Sequence, residues 1–345
     1  MYALRFFRLI ILPLLILGSL SSTALAQSTT LTYGDSADGS LANLSRTVRY
    51  TFEAEAGDTV TITAVSKDPR SLRLYLVIAD AATNEIAYQD DSSGPNPAIS
   101  NLYLAAAGKY TIFVRTSSGR GDFTISLNLV NKAADREVLF ADDFSDNRHD
   151  WETGGNEIIT GNIRDGKYVI RANCRDQLFT WFASPGFNDA KAVPPLDLNY
   201  VFETDVTVRP SEGTLTVGLL FDVQQPAYKT ASMLNYYSSG FWLYRIFDPH
   251  QQDFADLDQN QSSIVDLNDG KSHHLTLSVS DTEVHFWIDD QHIAHFDHQM
   301  VLPGTIGVDA GCGSENSMDV VYAEFDNVRV TLSPSSFSRE GDITA

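Results

Sequence analysis

Residues 285–298, HFWIDDQHIAHFDH, place four histidines and three aspartates in fourteen positions. Imidazole and carboxylate at this density serve metal ligation, proton transfer or hydrogen bonding to a polar ligand. The choice among these depends on which face each side chain takes. The longer stretch HLTLSVSDTEVHFWIDDQHIAHFDH reads as three successive strands, 274–280, 283–289 and 291–297. Alternation puts Leu275, Leu277, Val279, Val284, Phe286, Ile288 and Ile293 on a core face, with His295 among them. The opposite face receives His274, Thr276, Ser278, His285, Trp287, Asp289, His292 and Phe296. An aromatic ring flanked by hydroxyl, imidazole and carboxylate suits a sugar, whose C–H face covers the ring while polar neighbours take its hydroxyls. The expected ligand-binding residues are therefore Trp287, joined by Trp242, with His285, His292, Thr276 and Asp289. A metal alternative uses His285, His292 and Asp289 from neighbouring strands.

The elements that must position these groups are strands throughout. The chain has 345 residues and a net charge of −21. Its acidity, with no offsetting basic cluster, argues against nucleic-acid binding. Arg5 and Arg8, the apolar run LIILPLLILGSL and the small residues Ala24-Leu25-Ala26 predict an export leader over 1–26. That run is broken by Pro13 and falls short of the ~20 apolar residues of a membrane span. The expected location is secreted, periplasmic or cell-surface, with no membrane span once the leader is removed. Only two cysteines occur, Cys174 and Cys312, and an even count in an exported chain predicts that they pair.

Residues 27–130 show short period-two runs separated by turn residues, including Val48, Tyr50 and Phe52, then Val60 and Ile62, then Tyr110, Ile112 and Val114. They predict a small antiparallel β-sandwich. AGDTVTIT, LRLYLVIAD, YLAAAGKYTIFV and GDFTISL in this part resemble the bacterial pre-peptidase C-terminal domain. Arg73 stands where that family often carries an acidic residue, so the family's calcium site does not carry over. Residues 131–137 lack periodicity and read as a linker. Residues 333–345 are polar and read as a disordered tail.

Residues 138–332 hold all four tryptophans and longer strands. FADDFSDNRHDW, IRDGKYVI, GLLF, GFWLYRI, GTIGVDAG and EFDNVRVTL resemble the concanavalin A-like lectin/glucanase superfamily, in particular its laminin G-like members. The resemblance implies a jelly roll, so the expected fold class is all-β, two β-sandwiches with the larger one second. It also implies that chain-early and chain-late strands lie side by side, bringing Cys174 near Cys312. Jelly-roll binding modules often clamp a structural calcium where first and last strands meet. Asp142, Asp143 and Asp326, with Asp146, Asn147 and Asn327 nearby, offer oxygen ligands for one. The retaining glucanases of the superfamily use Glu-x-Asp-x-x-Glu. Here ETDVTV supplies Glu203 and Asp205 but has Val208 at the last position, and glycosidic hydrolysis needs two carboxylates. The expected function is that of an exported, non-catalytic binding protein whose partner is an extracellular glycan or surface component. The alternatives are a glycan hydrolase with dispersed carboxylates and a structural or adhesion surface protein.

Overall fold

The computed structural model describes residues 28–41, 47–90, 96–132, 136–174, 180–189, 196, 199–210, 214–224, 230–248, 253–262, 264–280, 283–298, 303–313 and 320–333. The expected leader, residues 1–26, and residues 334–345 of the expected tail lie outside them. Among the described residues there is no helix, and hence none long and apolar enough to cross a membrane.

The first sandwich is built from β1 (Thr29–Thr30), β2 (Ser36–Leu41), β3 (Thr47–Ala54), β4 (Asp58–Ser66), β5 (Leu72–Ala79), β6 (Glu85–Gln89), β7 (Ala98–Leu104), β8 (Gly108–Gly119) and β9 (Gly121–Asn131). One sheet has the order β1-β3-β8-β5-β6 and the other β2-β9-β4-β7. The alternating residues meet between them: Tyr50, Phe52, Val60, Ile62, Leu74, Leu76, Ile112, Phe123 and Ile125 form one buried cluster. Successive side chains point to opposite faces of a strand, so each sheet turns one face inward.

The second sandwich is a larger jelly roll. Its strands are β10 (Val138–Asp142), β11 (Gly154–Gly155), β12 (Ile159–Arg164), β13 (Lys167–Asn173), β14 (Thr180–Ala183), β15 (Tyr200–Val208), β16 (Leu215–Val223), β17 (Ser232–Tyr237), β18 (Phe241–Asp248), β19 (Asp253–Gln261), β20 (Ser272–Val279), β21 (Glu283–Ile288), β22 (Gln291–Asp297), β23 (Thr305–Cys312) and β24 (Val320–Leu332). A nine-stranded sheet runs β11-β12-β13-β24-β15-β20-β21-β22, with β10 also on β24. A six-stranded sheet runs β14-β23-β16-β17-β18-β19 and packs against it. Every residue of β16 is buried, so this strand is covered on both faces.

One local irregularity reverses part of the expected pattern. Asp289 and Asp290 both take left-handed φ values, 49° and 63°, which is the geometry of a type I′ hairpin turn. The strands it joins pair Trp287 with His292 but Phe286 with Ala294, leaving Ile293 as an extra residue. A β-bulge of one residue inverts every face beyond it. His295 therefore lies opposite His285 on the outer face, while Phe296 enters the core and stacks on Tyr244, ring centroids 4.2 Å apart. The expected placement of these two residues is corrected accordingly.

Cys174, just after β13, and Cys312, at the end of β23, form a disulfide with Cα atoms 5.4 Å apart. Their strands belong to opposite sheets rather than lying side by side, so the bond clamps the sandwich across its core. It closes a loop with a sequence separation of 138. Replacing both cysteines by alanine is expected to lower the unfolding free energy by about 2–5 kcal/mol, measured by guanidinium denaturation. Added reductant should produce the same loss in the unmodified chain.

Candidate functional site

The nine-stranded sheet carries the residues singled out by the opening stretch, and the first sandwich sits on them. Trp287 is only 3% exposed and clusters with Val201 and with Tyr103 and Ala105 of the first sandwich. Tyr103 meets it edge-on, centroids 5.3 Å apart. The Tyr103 hydroxyl donates to Glu203 at 3.3 Å, and the Arg136 guanidinium lies 5.0 Å above the Tyr103 ring. Arg136 also donates to Thr331, so a residue of the expected linker is part of this junction. Trp287 is thus an anchor between sandwiches, not an open stacking platform, because a ring covered by protein cannot cover a sugar. Thr276, its cross-strand partner, is buried as well. Trp242 points to the other side, into the core, where it stacks on Phe296.

The histidines separate into distinct groups. His285 Nδ1 lies 3.4 Å from His292 Nε2, and His285 Nε2 lies 3.4 Å from Glu283. The His295 ring stands parallel to His285 at 5.6 Å. Burial, reinforced by its histidine neighbours, drives the His292 pKa well below the ordinary imidazole value, and His295 moves the same way. Asp289 is elsewhere: it lies 2.6 Å from His273 Nδ1 and accepts the His274 backbone N–H. The trio His285, His292 and Asp289 is therefore not assembled as a metal site. His298 is enclosed, with Nε2 2.8 Å from Asp222.

Glu203 and Asp205 are also committed. Asp205 lies 2.8 Å from His274 Nδ1 and Glu203 lies 3.9 Å from its Nε2. Glu203 and Asp205 together raise the His274 pKa to about 9. Burial opposes ionisation of Glu203, yet His274, Arg136 and Arg329 hold its pKa below the usual value. Near the chain-early strand, Asp142 accepts from the Phe144 N–H, and its other oxygen faces His149 Nδ1 and Trp151 Nε1, each at 2.8 Å. Asp143 accepts from the Ser145 N–H and Asp326 from the Asn327 N–H. Among the described residues no group of three or more His, Cys, Asp or Glu side chains is arranged to hold a metal ion.

The outer face of the six-stranded sheet was not anticipated. In register across it stand Phe182, Asp309, Gly218, Asn235 and Leu243. Cross-strand partners share a face, and two strand spacings separate Asp309 from Asn235. Their side chains meet over Gly218: Asn235 Nδ2 donates to Asp309 at 2.6 Å. A Cβ on Gly218 would come within 2.7 Å of that nitrogen, so glycine is required there. Asp309 is fully buried and Oδ1 makes no hydrogen bond. Burial pushes its pKa up to about 7, against the pull of Asn235, Arg245 and Thr180.

Above this floor lies a half-buried aromatic rim. Phe182 packs on Phe254, and Phe254 on Phe247, with centroids 5.9 and 5.3 Å apart. Tyr237 and Phe241 form a second pair at 5.6 Å. Between the pairs, Arg245 donates to Asp256 at 3.1 Å. The sequence signal for this face was the series Gly307-x-Asp309-x-Gly311, an acid between two glycines on one side of a strand.

The His274 shift has a defined sign. Its folded pKa exceeds the ordinary 6.5, so its contribution is fully present below pH 6.5 and is lost as pH rises towards 9. His274→Gln is therefore expected to destabilise the protein at pH 6 and to converge on the parent by pH 9.5, read from melting temperatures across pH. Equal destabilisation at both pH values would contradict this.

No family model matches the chain, and no curated protein matches it. Solved structures similar to it include the pre-peptidase C-terminal domain of a collagenase from Bacillus anthracis, at 21% identity over 30% of this chain and 95% of that one, with a TM-score of 0.27. A carbohydrate-binding module from Bacillus subtilis is 16% identical over 52% of this chain and 94% of that one, with a TM-score of 0.33. The laminarinase catalytic domain from Thermotoga maritima is 11% identical over 58% of this chain and all of that one, 100%, with a TM-score of 0.39. These are likenesses of fold alone.

Proposed function

We propose that the protein is an exported binding protein that holds a neutral extracellular glycan on the outer face of the six-stranded sheet, without hydrolysing it. The observation that carries this reading is the rim itself: Phe182, Phe254, Phe247, Tyr237 and Phe241 are half-buried rings set around an Arg245–Asp256 pair. Rings cover the apolar faces of sugars, and the guanidinium and carboxylate take hydroxyls. The net charge of −21 disfavours acidic glycans. Asp309 supports the floor rather than the ligand, since it is fully buried and tied to Asn235.

Hydrolysis is disfavoured by the state of the acids on this face. Glycosidases place two carboxylates about 5–9.5 Å apart around the scissile bond. Asp309 is fully buried and bonded to Asn235, and Asp256 is paired with Arg245. The test is affinity electrophoresis of the full chain in gels containing a β-glucan, a mannan or a neutral mucin glycan. Tyr237→Ala and Phe182→Ala are each expected to weaken retardation about tenfold. Release of reducing ends from any of the three would favour the hydrolase. Retardation unchanged in both variants would remove the proposed face.

A further inference from the structure

A cavity of about 210 Å³ lies where the two sandwiches meet, beside the Tyr103–Trp287 contact. At ~30 Å³ per water it has room for about seven waters, a volume comparable to one sugar ring with its hydroxyls. Ser100 and Asn101 of β7 form one side, and Ser278, Glu283, His285 and His295 of the second sandwich form the other. We infer that this cavity is a binding site, separate from the six-stranded face, for a single neutral sugar ring or polyol of that size.

The wall chemistry selects this class. Among the described residues no lysine or arginine lines the cavity, so a phosphate or carboxylate would enter it uncompensated, next to the Glu283 carboxylate. Ala87, Ile99 and Leu102 add apolar patches to a wall otherwise made of hydroxyl, amide, carboxylate and imidazole groups, a mixed surface that suits a sugar ring better than an acyl chain. Burial, with His285 beside it, lowers the His295 pKa and so favours the neutral imidazole. A neutral imidazole offers one donor and one acceptor, the pairing that a hydroxyl satisfies from both sides. Glu283 is held ionised by its contact with His285 and supplies acceptors for two further hydroxyls.

The backbone adds an independent sign. Asn101 has φ of 54° in the middle of β7, where the pairing with β4 shifts register between Val60 and Ile62. A non-glycine residue in this region costs energy and persists where the surroundings hold it. The same bulge puts Asn101 on the cavity wall, and its N–H is satisfied by the Thr61 hydroxyl. The surroundings thus hold this residue at the cavity wall.

The experiment is isothermal titration calorimetry of the full chain with glucose, galactose, mannose and N-acetylglucosamine. Tryptophan emission is followed in parallel, because Tyr103 lines the cavity and touches Trp287. At least one sugar is expected to bind and to shift the emission. Asn101→Gly removes the amide while keeping a residue at ease with positive φ, so the fold is retained. This variant and Glu283→Gln are each expected to weaken binding at least tenfold, whereas Val65→Ala, at an exposed position of the first sandwich away from both faces, leaves it unchanged. The inference is overturned if none of the four sugars binds, or if both cavity variants bind as the parent does. Binding lost in Tyr237→Ala alone overturns it too, by assigning the heat to the six-stranded face.

Discussion

Tyr103 of the first sandwich lies edge-on against Trp287 of the second, and Arg136 closes over the back of the Tyr103 ring. An aromatic pair of this geometry contributes about 0.5–1.5 kcal/mol beyond the area it buries. Its larger consequence is positional. It docks the first sandwich on the nine-stranded sheet and draws Glu203 into a hydrogen bond with the Tyr103 hydroxyl. His274 then sits between Glu203 and Asp205 as a charged centre of the junction. Groups that would be a polar surface on an isolated jelly roll become a partly buried network that ties the junction together.

With the nine-stranded sheet covered around Val201 and Trp287, the six-stranded sheet is the other broad face of the second sandwich. Its middle is built from small residues: Gly307, Gly311 and Gly218 alternate with Asp309, Asn235 and Thr216. Small side chains at the centre let larger ones at the edges form a rim, and they let two polar groups meet across an intervening strand. The Asp309 carboxyl is the cost of that arrangement. It is buried with one oxygen unpaired and carries a proton up to about pH 7.

The two sheets of the jelly roll are fastened at separate points. The Cys174–Cys312 bond ties the region after β13 to the end of β23. His298, after β22, reaches Asp222, whose φ of 53° lies in a bulge of β16. Phe296 adds a stack on Tyr244 and Trp242. These links hold the sandwich across its core, so the outer face of the six-stranded sheet rests on a braced support.

Alternation alone was enough to place Leu275, Leu277, Val279, Val284, Phe286 and Ile288 in the core, because a strand's period of two is a local property of the backbone. The all-β class and the pairing of the cysteines were legible for similar reasons: turn residues, strand periods and an even cysteine count are all written in the chain. The bulge at Ile293 was not, since an extra residue leaves the local pattern unchanged while moving His295 outward and Phe296 inward. Nor was the burial of Trp287, which depends on a tyrosine in the other sandwich. The Asp309 face escaped notice because β23 reads as a plain buried strand until Gly218 and Asn235 are seen beside it. The sequence by itself determined which residues alternate and which segments become strands. Only the tertiary structure decided which faces were covered, because covering a face requires contacts between residues far apart in the chain, and no local pattern encodes them.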